Sequence, residues 1–251
     1  MLKHNEVSVE MLKVTNSEYV ATVSLDRPTA HNALNRLMVA EIARVAAALD
    51  ADPQVHVIII KGQGKSFCAG LDLKESLPTD LDTLLAEGFG DREALFRVRK
   101  PVIAAVSGAA FGAGLELALM CDLILCDSTA AFSMPEVTRG GMPGAGGTQR
   151  LTRLVGRMRS TELCLTGRKV HAEESVRIGL CLQSYENSES LMEAALALAK
   201  QIAKARMTPL LLIKQACRSQ DELSLEAGLA LERLSSYTCI ASRQPQLAPS
   251  T

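Results

Sequence analysis

The chain has 251 residues, of which 47% are hydrophobic and 22% are charged, and its formal net charge is -1. This composition is ordinary for a globular protein and does not fit a collagen, a coiled coil or a disordered chain. The near-zero charge and the absence of Trp argue against nucleic acid and anionic membranes as partners.

The first strands and the first helix are predicted from hydrophobic periodicity. Alternating apolar residues predict strands over residues 7–12 and 19–25, with residues 15–17 as the turn between them. Helical spacing over residues 34–49 predicts a helix with Asn32 as its N-cap.

The next segments repeat a strand–helix pattern. Residues 55–60 form a nearly all-apolar run, which is typical of a parallel strand buried on both faces. The further predicted elements are a polar helical stretch over about 79–97, strands over 102–106, 123–126 and 131–134, a helix over about 112–120, and a helix that follows the Gly-rich loop 140–147. Paired strands with intervening helices predict an α/β domain of repeated β-β-α units.

The C-terminal part has a different pattern. Helical periodicity covers residues 190–206, 209–219 and 223–240, and residues 243–251 are expected to fray. We therefore predict a core over residues 1–187 and a helical region over residues 188–251. Such a region can cap its own core or pack against another subunit.

The location of the protein is predicted from what the sequence lacks. The N-terminal residues have neither the apolar run of a signal peptide nor the Arg/Ser bias of a transit peptide. No apolar stretch approaches the roughly 20 residues of a membrane helix. The seven cysteines are scattered, without a C-x-x-C pair, as in reduced intracellular proteins. We expect a soluble intracellular protein, cytoplasmic or in the mitochondrial matrix.

Several common functional motifs are incomplete in this sequence. The string Gly64-Lys65-Ser66 ends like a phosphate loop, but the required first glycine falls at Ile59. The four histidines show no metal-ligand spacing, so no metal site is predicted. We interpret Cys68 as a small buried residue rather than a nucleophile.

Two carboxylates stand out beside Gly-rich turns. Glu116 lies among apolar residues in a helix that follows the turn at residues 107–114, and Glu136 precedes the Gly-rich loop 140–147. A carboxylate in apolar surroundings costs several kcal/mol unless it is paired or protonated. Gly-rich turns let backbone N–H groups approach a ligand, and a helix N-terminus favours developing negative charge. An anion hole beside two carboxylates is what proton transfer next to a carbonyl requires.

These segments resemble the enoyl-CoA hydratase/isomerase (crotonase) superfamily, and most closely an enoyl-CoA hydratase. The resemblance rests on SLDRPTAHNAL, KSFCAGLDLKE, AVSGAAFGAGLELALMCDLILC and SMPEVTRGGMPGAGGTQRLTRLVG, and it extends from about residue 6 through the helical end. It implies a spiral of β-β-α units with a C-terminal helical trimerisation region. It also implies a homotrimer or a dimer of trimers.

The resemblance implies a mechanism and its residues. The backbone N–H groups of Leu71 and Ala113 are expected to hold an enolate formed from an acyl-CoA thioester. Hydratases carry Glu at the positions of both Glu116 and Glu136, whereas simple isomerases commonly keep only the second. Dienoyl isomerases carry Asp at the first position and another in the Gly-rich loop, where this chain has Gly144.

The expected reaction is therefore syn addition of water to a 2-enoyl-CoA. Glu116 is expected to activate the water and Glu136 to protonate C2, although a coupled pair can share or exchange these roles. The Gly144 N–H is expected to help hold the water. No cofactor is implied, since coenzyme A is part of the substrate.

The resemblance also implies a path for coenzyme A. The residues expected to line it are Ala30, Ala69, Asp72, Leu73 and Lys74, together with Leu71. Lys74 could neutralise a CoA phosphate or could be an ordinary solvated lysine.

Other functions remain open from the sequence. An isomerase or another acyl-CoA enzyme could use the same scaffold, and so could a catalytically inactive homologue. One branch of the superfamily binds RNA through a lysine-rich helix. The matching segment here, residues 32–50, has Arg36 and Arg44 but no lysine, and Glu41 and Asp50 offset them. Nucleic acid and membranes are therefore not predicted as partners.

Overall fold

The computed structural model describes residues 6–9, 11–75, 82, 88 and 90–242. Its strands are β1 Glu6–Val9, β2 Leu12–Ser17, β3 Val20–Leu25, β4 Val57–Gly62, β5 Ser66–Cys68, β6 Val102–Val106, β7 Ala109–Phe111, β8 Leu123–Asp127, β9 Ala131–Ser133, β10 Val170–His171 and β11 Gln183–Tyr185. Its α-helices are α1 Arg36–Ala51, α2 Ala113–Leu119, α3 Gly147–Val155, α4 Arg157–Thr166, α5 Ala172–Arg177, α6 Ser188–Ala203, α7 Met207–Ser219 and α8 Leu225–Ala241. Pro28–Ala30 and Pro135–Arg139 form short 3-10 helices.

The strands form two sheets. The larger has the order β1-β2-β3-β4-β6-β8-β11, and the smaller has the order β10-β9-β7-β5. Strands β1 to β3 are antiparallel, whereas β3, β4, β6, β8 and β11 pair in parallel. Each of the pairs β4/β5, β6/β7 and β8/β9 gives its first strand to the larger sheet and its second to the smaller sheet. The predicted α/β class and the C-terminal helices are confirmed.

The larger sheet is buried on both faces, which explains its apolar strands. Ile58 and Ile60 of β4 pack in one core cluster with α1, while Val57 and Ile59 pack in a second cluster with α6. Alternate residues of a strand point to opposite faces, so every position of β4 that faces a helix must be apolar. On α6 the buried face is largely alanine, so this helix lies close against the sheet.

The C-terminal helices differ in how they contact the rest of the chain. On α7, Lys214 Nζ lies 2.7 Å from Asp122 Oδ2, and Arg218 Nη2 lies 2.9 Å from Asp122 Oδ1. Helix α8 has no buried residue. Its apolar side chains are largely exposed, including Leu225 at 80%. No helix in the described ranges is long and apolar enough to cross a membrane.

The first hairpin corrects two sequence predictions. The segment predicted as one strand over residues 7–12 is divided between β1 and β2, and residues 15–17, predicted as a turn, continue β2. The turn is Glu18-Tyr19, with φ of 50° and 66°, between the paired residues Ser17 and Val20. Two residues with positive φ match the twist of a tight hairpin. Pairing with β3 therefore overrides the turn preference of residues 15–17.

The start of α1 corrects a third prediction. The N-cap is Asn35, whose side chain accepts a 2.9 Å hydrogen bond from Met38 N, rather than Asn32. Asn32 is fully buried and has a φ of 56°. Both asparagines are good N-cap residues, and only the packing of the loop decides between them.

Other helix predictions have mixed outcomes. The predicted helical stretch 79–97 is described at residues 82, 88 and 90–97, where Asp82 is helical and residues 92–97 form successive turns. The rest of the stretch lies outside the described residues. The predicted fraying of residues 243–251 also lies outside them. The helices α2, α3, α6, α7 and α8 are confirmed, and the ends that were predicted lie within three residues of the observed ones.

Candidate active site

The loop after β5 is held by the buried Asn32. Its Nδ2 donates to Gln63 O at 2.9 Å and to Ser66 O at 2.7 Å, so it pins both sides of the turn before β5. Leu34 N donates to Gly70 O, and Asp72 N donates to Leu34 O. Leu34 and Leu71 thus form a parallel bridge, whose two hydrogen bonds are made by Gly70 and Asp72, the residues on either side of Leu71. The Leu71 N–H is therefore directed away from Leu34.

A second turn packs its backbone against this loop. Gly112, with a φ of 51° and a ψ of -122°, leads into α2, whose first residue is Ala113. A Cβ on Gly70 would lie 2.8 Å from Phe111 O and 3.8 Å from Ala113 N. A Cβ on Gly114 would lie 2.1 Å from Cys68 O. Glycine at these two positions lets the backbones meet, which brings the Leu71 segment beside the Ala113 amide.

Glu116 is buried, and its carboxylate is held by backbone amides. It is 2% exposed on α2. Its Oε1 accepts hydrogen bonds from Ala145 N at 2.7 Å and from Gly147 N at 2.9 Å. Charge-assisted bonds of this kind are among the stronger ones in proteins. Because these two amides of the Gly-rich loop replace water at one carboxylate oxygen, Glu116 can be buried among apolar residues.

Glu136 lies in the 3-10 helix after β9 and faces the same turn. A Cβ on Gly112 would lie 2.8 Å from Glu136 Oε1. Glu136 Oε2 is buried and has no hydrogen-bond partner among the described residues. Burial raises the pKa of Glu136, and the charge of Glu116 raises it further. The two carboxylates are therefore close enough to interact, and amides fix Glu116 while Glu136 is biased toward protonation.

A cleft opens beside these groups. Its volume is about 310 Å³ including the part open to solvent, and Ala113 and Ala145 contribute to its wall. The remaining lining residues are Leu34, Val39, Ile42, Leu117 and Met120, which are apolar, and Asp91 and Arg92. A mainly apolar cleft that reaches the Ala113 turn can accept a small acyl group next to its polar anchor.

The residues predicted to line a coenzyme A path lie on two neighbouring loops, one before α1 and one after β5. Ala30 and Ala69 are partly exposed, and Ala69 N donates to His31 O at 3.0 Å. Leu73 and Lys74 are exposed. Asp72 accepts a 2.9 Å hydrogen bond from Arg27 Nη2, which lowers the pKa of Asp72. The Asp72 side chain thus has a structural partner in the fold.

Gly144, whose N–H is expected to help hold the water, lies in the Gly-rich loop. It is exposed, and its carbonyl accepts a 3.1 Å hydrogen bond from Arg92 Nη2. The amides that contact Glu116 belong to Ala145 and Gly147 of the same loop. Sequence reasoning identified the Gly-rich loop but not its donors, since the loop offers several amides and only packing selects two.

Two other predictions concern metals and Cys68. Within the ranges that the structure describes, no group of three or more His, Cys, Asp or Glu could hold a metal ion. Cys68 is fully buried, and burial raises its pKa to about 12. Its interpretation as a small core residue is confirmed.

Several known proteins are similar to this chain over most of its length. The sequence model of the enoyl-CoA hydratase/isomerase family matches residues 15–247. A Rhizobium meliloti protein named "probable enoyl-CoA hydratase" is 42% identical over 228 residues, which cover 90% of this chain and 88% of the relative. An enoyl-CoA hydratase structure from Geobacillus kaustophilus aligns with a TM-score of 0.88 at 37% identity, covering 96% of this chain and 98% of its own. A Thermobifida fusca structure in complex with acetoacetyl-CoA aligns with a TM-score of 0.83 at 30% identity, covering 92% and 95%.

Proposed function

The chain belongs to the enoyl-CoA hydratase/isomerase family, and from this we propose that it hydrates 2-enoyl-CoA thioesters. Water adds syn across the 2,3 double bond, through an enolate. The observation that carries the proposal is a pair of interacting carboxylates: loop amides hold Glu116, and Glu136 lies against Gly112 with its pKa raised by burial and by the charge of Glu116.

Two backbone amides stabilise the enolate in this proposal. The N–H groups of Leu71 and Ala113 donate to the thioester oxygen as negative charge develops on it. Support comes from the packing of the Gly70 backbone on the Ala113 turn. Neither N–H group donates a hydrogen bond to another backbone acceptor in the described part of the chain. Removing one such donor typically lowers the rate by about 10²–10³-fold.

The carboxylates divide the proton transfers. Glu116 takes a proton from the water that attacks C3, and the two amides on its Oε1 orient it for this role. Glu136 gives a proton to C2, and its raised pKa favours the protonated form that an acid needs. The Gly144 N–H helps hold the water at the mouth of the loop.

Coenzyme A lies along the rim formed by Ala30, Ala69, Leu73 and Lys74, with Asp72 shaping the loop through Arg27. Exposed Lys74 is available to a phosphate group. The chain uses no cofactor beyond the coenzyme A of its substrate. A location in the cytoplasm or the mitochondrial matrix stays a prediction.

We also propose a homotrimer or a dimer of trimers, with residues 188–251 as the oligomerisation region. Helix α8 supports it, because Leu234, Tyr237 and Ile240 are mostly exposed on a helix with no buried residue. Exposed apolar surface of this kind marks an interface. Light scattering after size-exclusion chromatography tests it, and a monomer at micromolar concentration would overturn it.

The test of the activity follows the absorbance of the conjugated enoyl thioester after crotonyl-CoA is added. We expect rapid loss with the wild type and a loss of rate of about 10²–10⁴-fold in Glu116→Gln and Glu136→Gln. Glu193→Gln, an exposed carboxylate on α6, is the matched control.

Two outcomes would redirect the proposal. No loss of absorbance with crotonyl-CoA or with longer and branched 2-enoyl-CoAs would refute hydration. Appearance of the conjugated absorbance from a 3-enoyl-CoA, without hydration, would establish the isomerase alternative.

A further inference from the structure

The loop that holds Glu116 is rich in glycine. Five of the eight residues from 140 to 147 are glycine, and glycine loses more conformational freedom on ordering than any other residue. Two amides of this loop, those of Ala145 and Gly147, must nevertheless be fixed to bind Glu116 Oε1. A contact that fixes the Ala145–Gly146 peptide, which lies between these two amides, would keep both of them in place.

Arg150 contacts that peptide. Its Nη1 donates a 2.7 Å hydrogen bond to Ala145 O, the carbonyl of the peptide that links Ala145 to Gly146. A Cβ on Gly146 would lie only 2.0 Å from Arg150 Nη1, and Gly146 has a φ of 93°. Glycine at position 146 therefore leaves the space in which the guanidinium lies.

The location of Arg150 is not explained by helix stability. It lies in the first turn of α3, where a positive charge opposes the helix dipole. Its guanidinium is held on two further sides. It lies 4.3 Å from the centre of the Phe96 ring, and its Nη2 lies 3.2 Å from Glu93 Oε1. The side chain is 17% exposed, so the group is both ordered and directed at the loop.

We propose that Arg150 is a positioning residue for Glu116. By fixing the Ala145–Gly146 peptide it sets the orientation of the peptides on either side, whose N–H groups bind the carboxylate. Arg150 touches no reacting atom in this role. The kinetic part of this inference rests on the proposed function, whereas the order of the loop does not.

The test compares Arg150→Met and Arg150→Lys with variants that remove its other contacts. Phe96→Leu removes the ring, and Glu93→Gln removes the ion pair, while both keep the hydrogen bond to Ala145 O. Arg153→Met, on the same helix, is the control for loss of a cation. Thermal unfolding of each variant shows that it is folded.

We expect Arg150→Met to lower kcat by about 10–100-fold, as a displacement near 1 Å of a reacting group does, with KM close to wild type. Arg150→Lys should recover part of the loss, since one donor can still reach the carbonyl. In a Glu116→Gln background, Arg150→Met should add little, because residues that act through one another are not additive. Equal losses of kcat in Phe96→Leu and Arg150→Met would show a packing role and overturn the proposal.

A second measurement is independent of activity. Hydrogen exchange across residues 140–150 should be faster in Arg150→Met than in the wild type or Glu93→Gln. Unchanged exchange in Arg150→Met would overturn the inference whether or not the protein hydrates enoyl-CoA. Faster exchange in Arg150→Met, together with a wild-type protein that proves inactive, would instead leave the loop role standing and refute the proposed function.

Discussion

Gly114 offers a sharp test of how the two amide-bearing segments are held together. It lies inside α2, where Gly→Ala normally stabilises a helix by about 1 kcal/mol. Here the new Cβ would lie 2.1 Å from Cys68 O and 2.8 Å from Cys68 C, both backbone atoms, whereas ordinary contact begins at 3.4 Å. The loop after β5 would therefore have to move from α2 by roughly 1 Å, a displacement that can lower a rate by about 10²-fold.

The magnitude follows from these opposing effects. Overpacking a core typically costs about 1–3 kcal/mol, and a clash with backbone belongs at the upper end of that range. After the gain in helix propensity, we expect Gly114→Ala to lose about 2 kcal/mol of stability. For a chain of this size that corresponds to a fall in Tm of roughly 4–8 °C. The value of kcat should fall by about 10²-fold, because Leu71 moves relative to Ala113.

The assay is thermal unfolding beside crotonyl-CoA hydration, and the chain supplies its own control. Gly228 is also inside a helix, and a Cβ there would have no atom within 4 Å. Gly228→Ala should raise Tm by roughly 2–4 °C and leave kcat unchanged. If Gly114→Ala raised Tm as Gly228→Ala does, or kept its activity, the account of the backbone contact would be refuted.

Two further predictions concern stability. Burial raises the pKa of Glu136, so its charged form destabilises the folded state at neutral pH. Glu136→Gln should raise Tm at pH 8, by an amount that fades as pH falls through the raised pKa toward the ordinary value of about 4.3; a difference that grows on acidification would contradict this. In chemical denaturation, Asp122→Asn should lose about 3–5 kcal/mol, because it leaves the buried Lys214 cation without its carboxylate. Lys214→Met should lose only about 1–3 kcal/mol, since Asp122 keeps Arg218 and the Val102 amide, and the Lys100 carbonyl loses its Lys214 donor; the reverse order would disprove the reasoning.

The two carboxylates illustrate a balance between stability and chemistry. Glu116 is stabilised by the amides of Ala145 and Gly147, whereas Glu136 Oε2 is buried without a partner in the described structure. An unsatisfied buried oxygen costs free energy that a merely structural residue would avoid. Such a cost is typical of a group kept for proton transfer.

Much of the fold was predictable from local pattern. The apolar run of β4 and the helical spacing of α6 to α8 depend only on residues close in sequence. These local patterns predicted the α/β class and the helical C-terminal region. Glu116 and Glu136 were predictable as candidates because a carboxylate among apolar residues or glycines is chemically conspicuous.

Only the tertiary structure decided which groups meet. The amides of Ala145 and Gly147 bind Glu116, which lies 29 and 31 residues away in sequence. Arg27 is paired with Asp72 across 45 residues, and Asn35 rather than Asn32 caps α1. Periodicity reports which face of an element is buried, but it carries no information on which of several similar amides or asparagines a distant segment will approach. That choice depends on how the two sheets and their loops pack together.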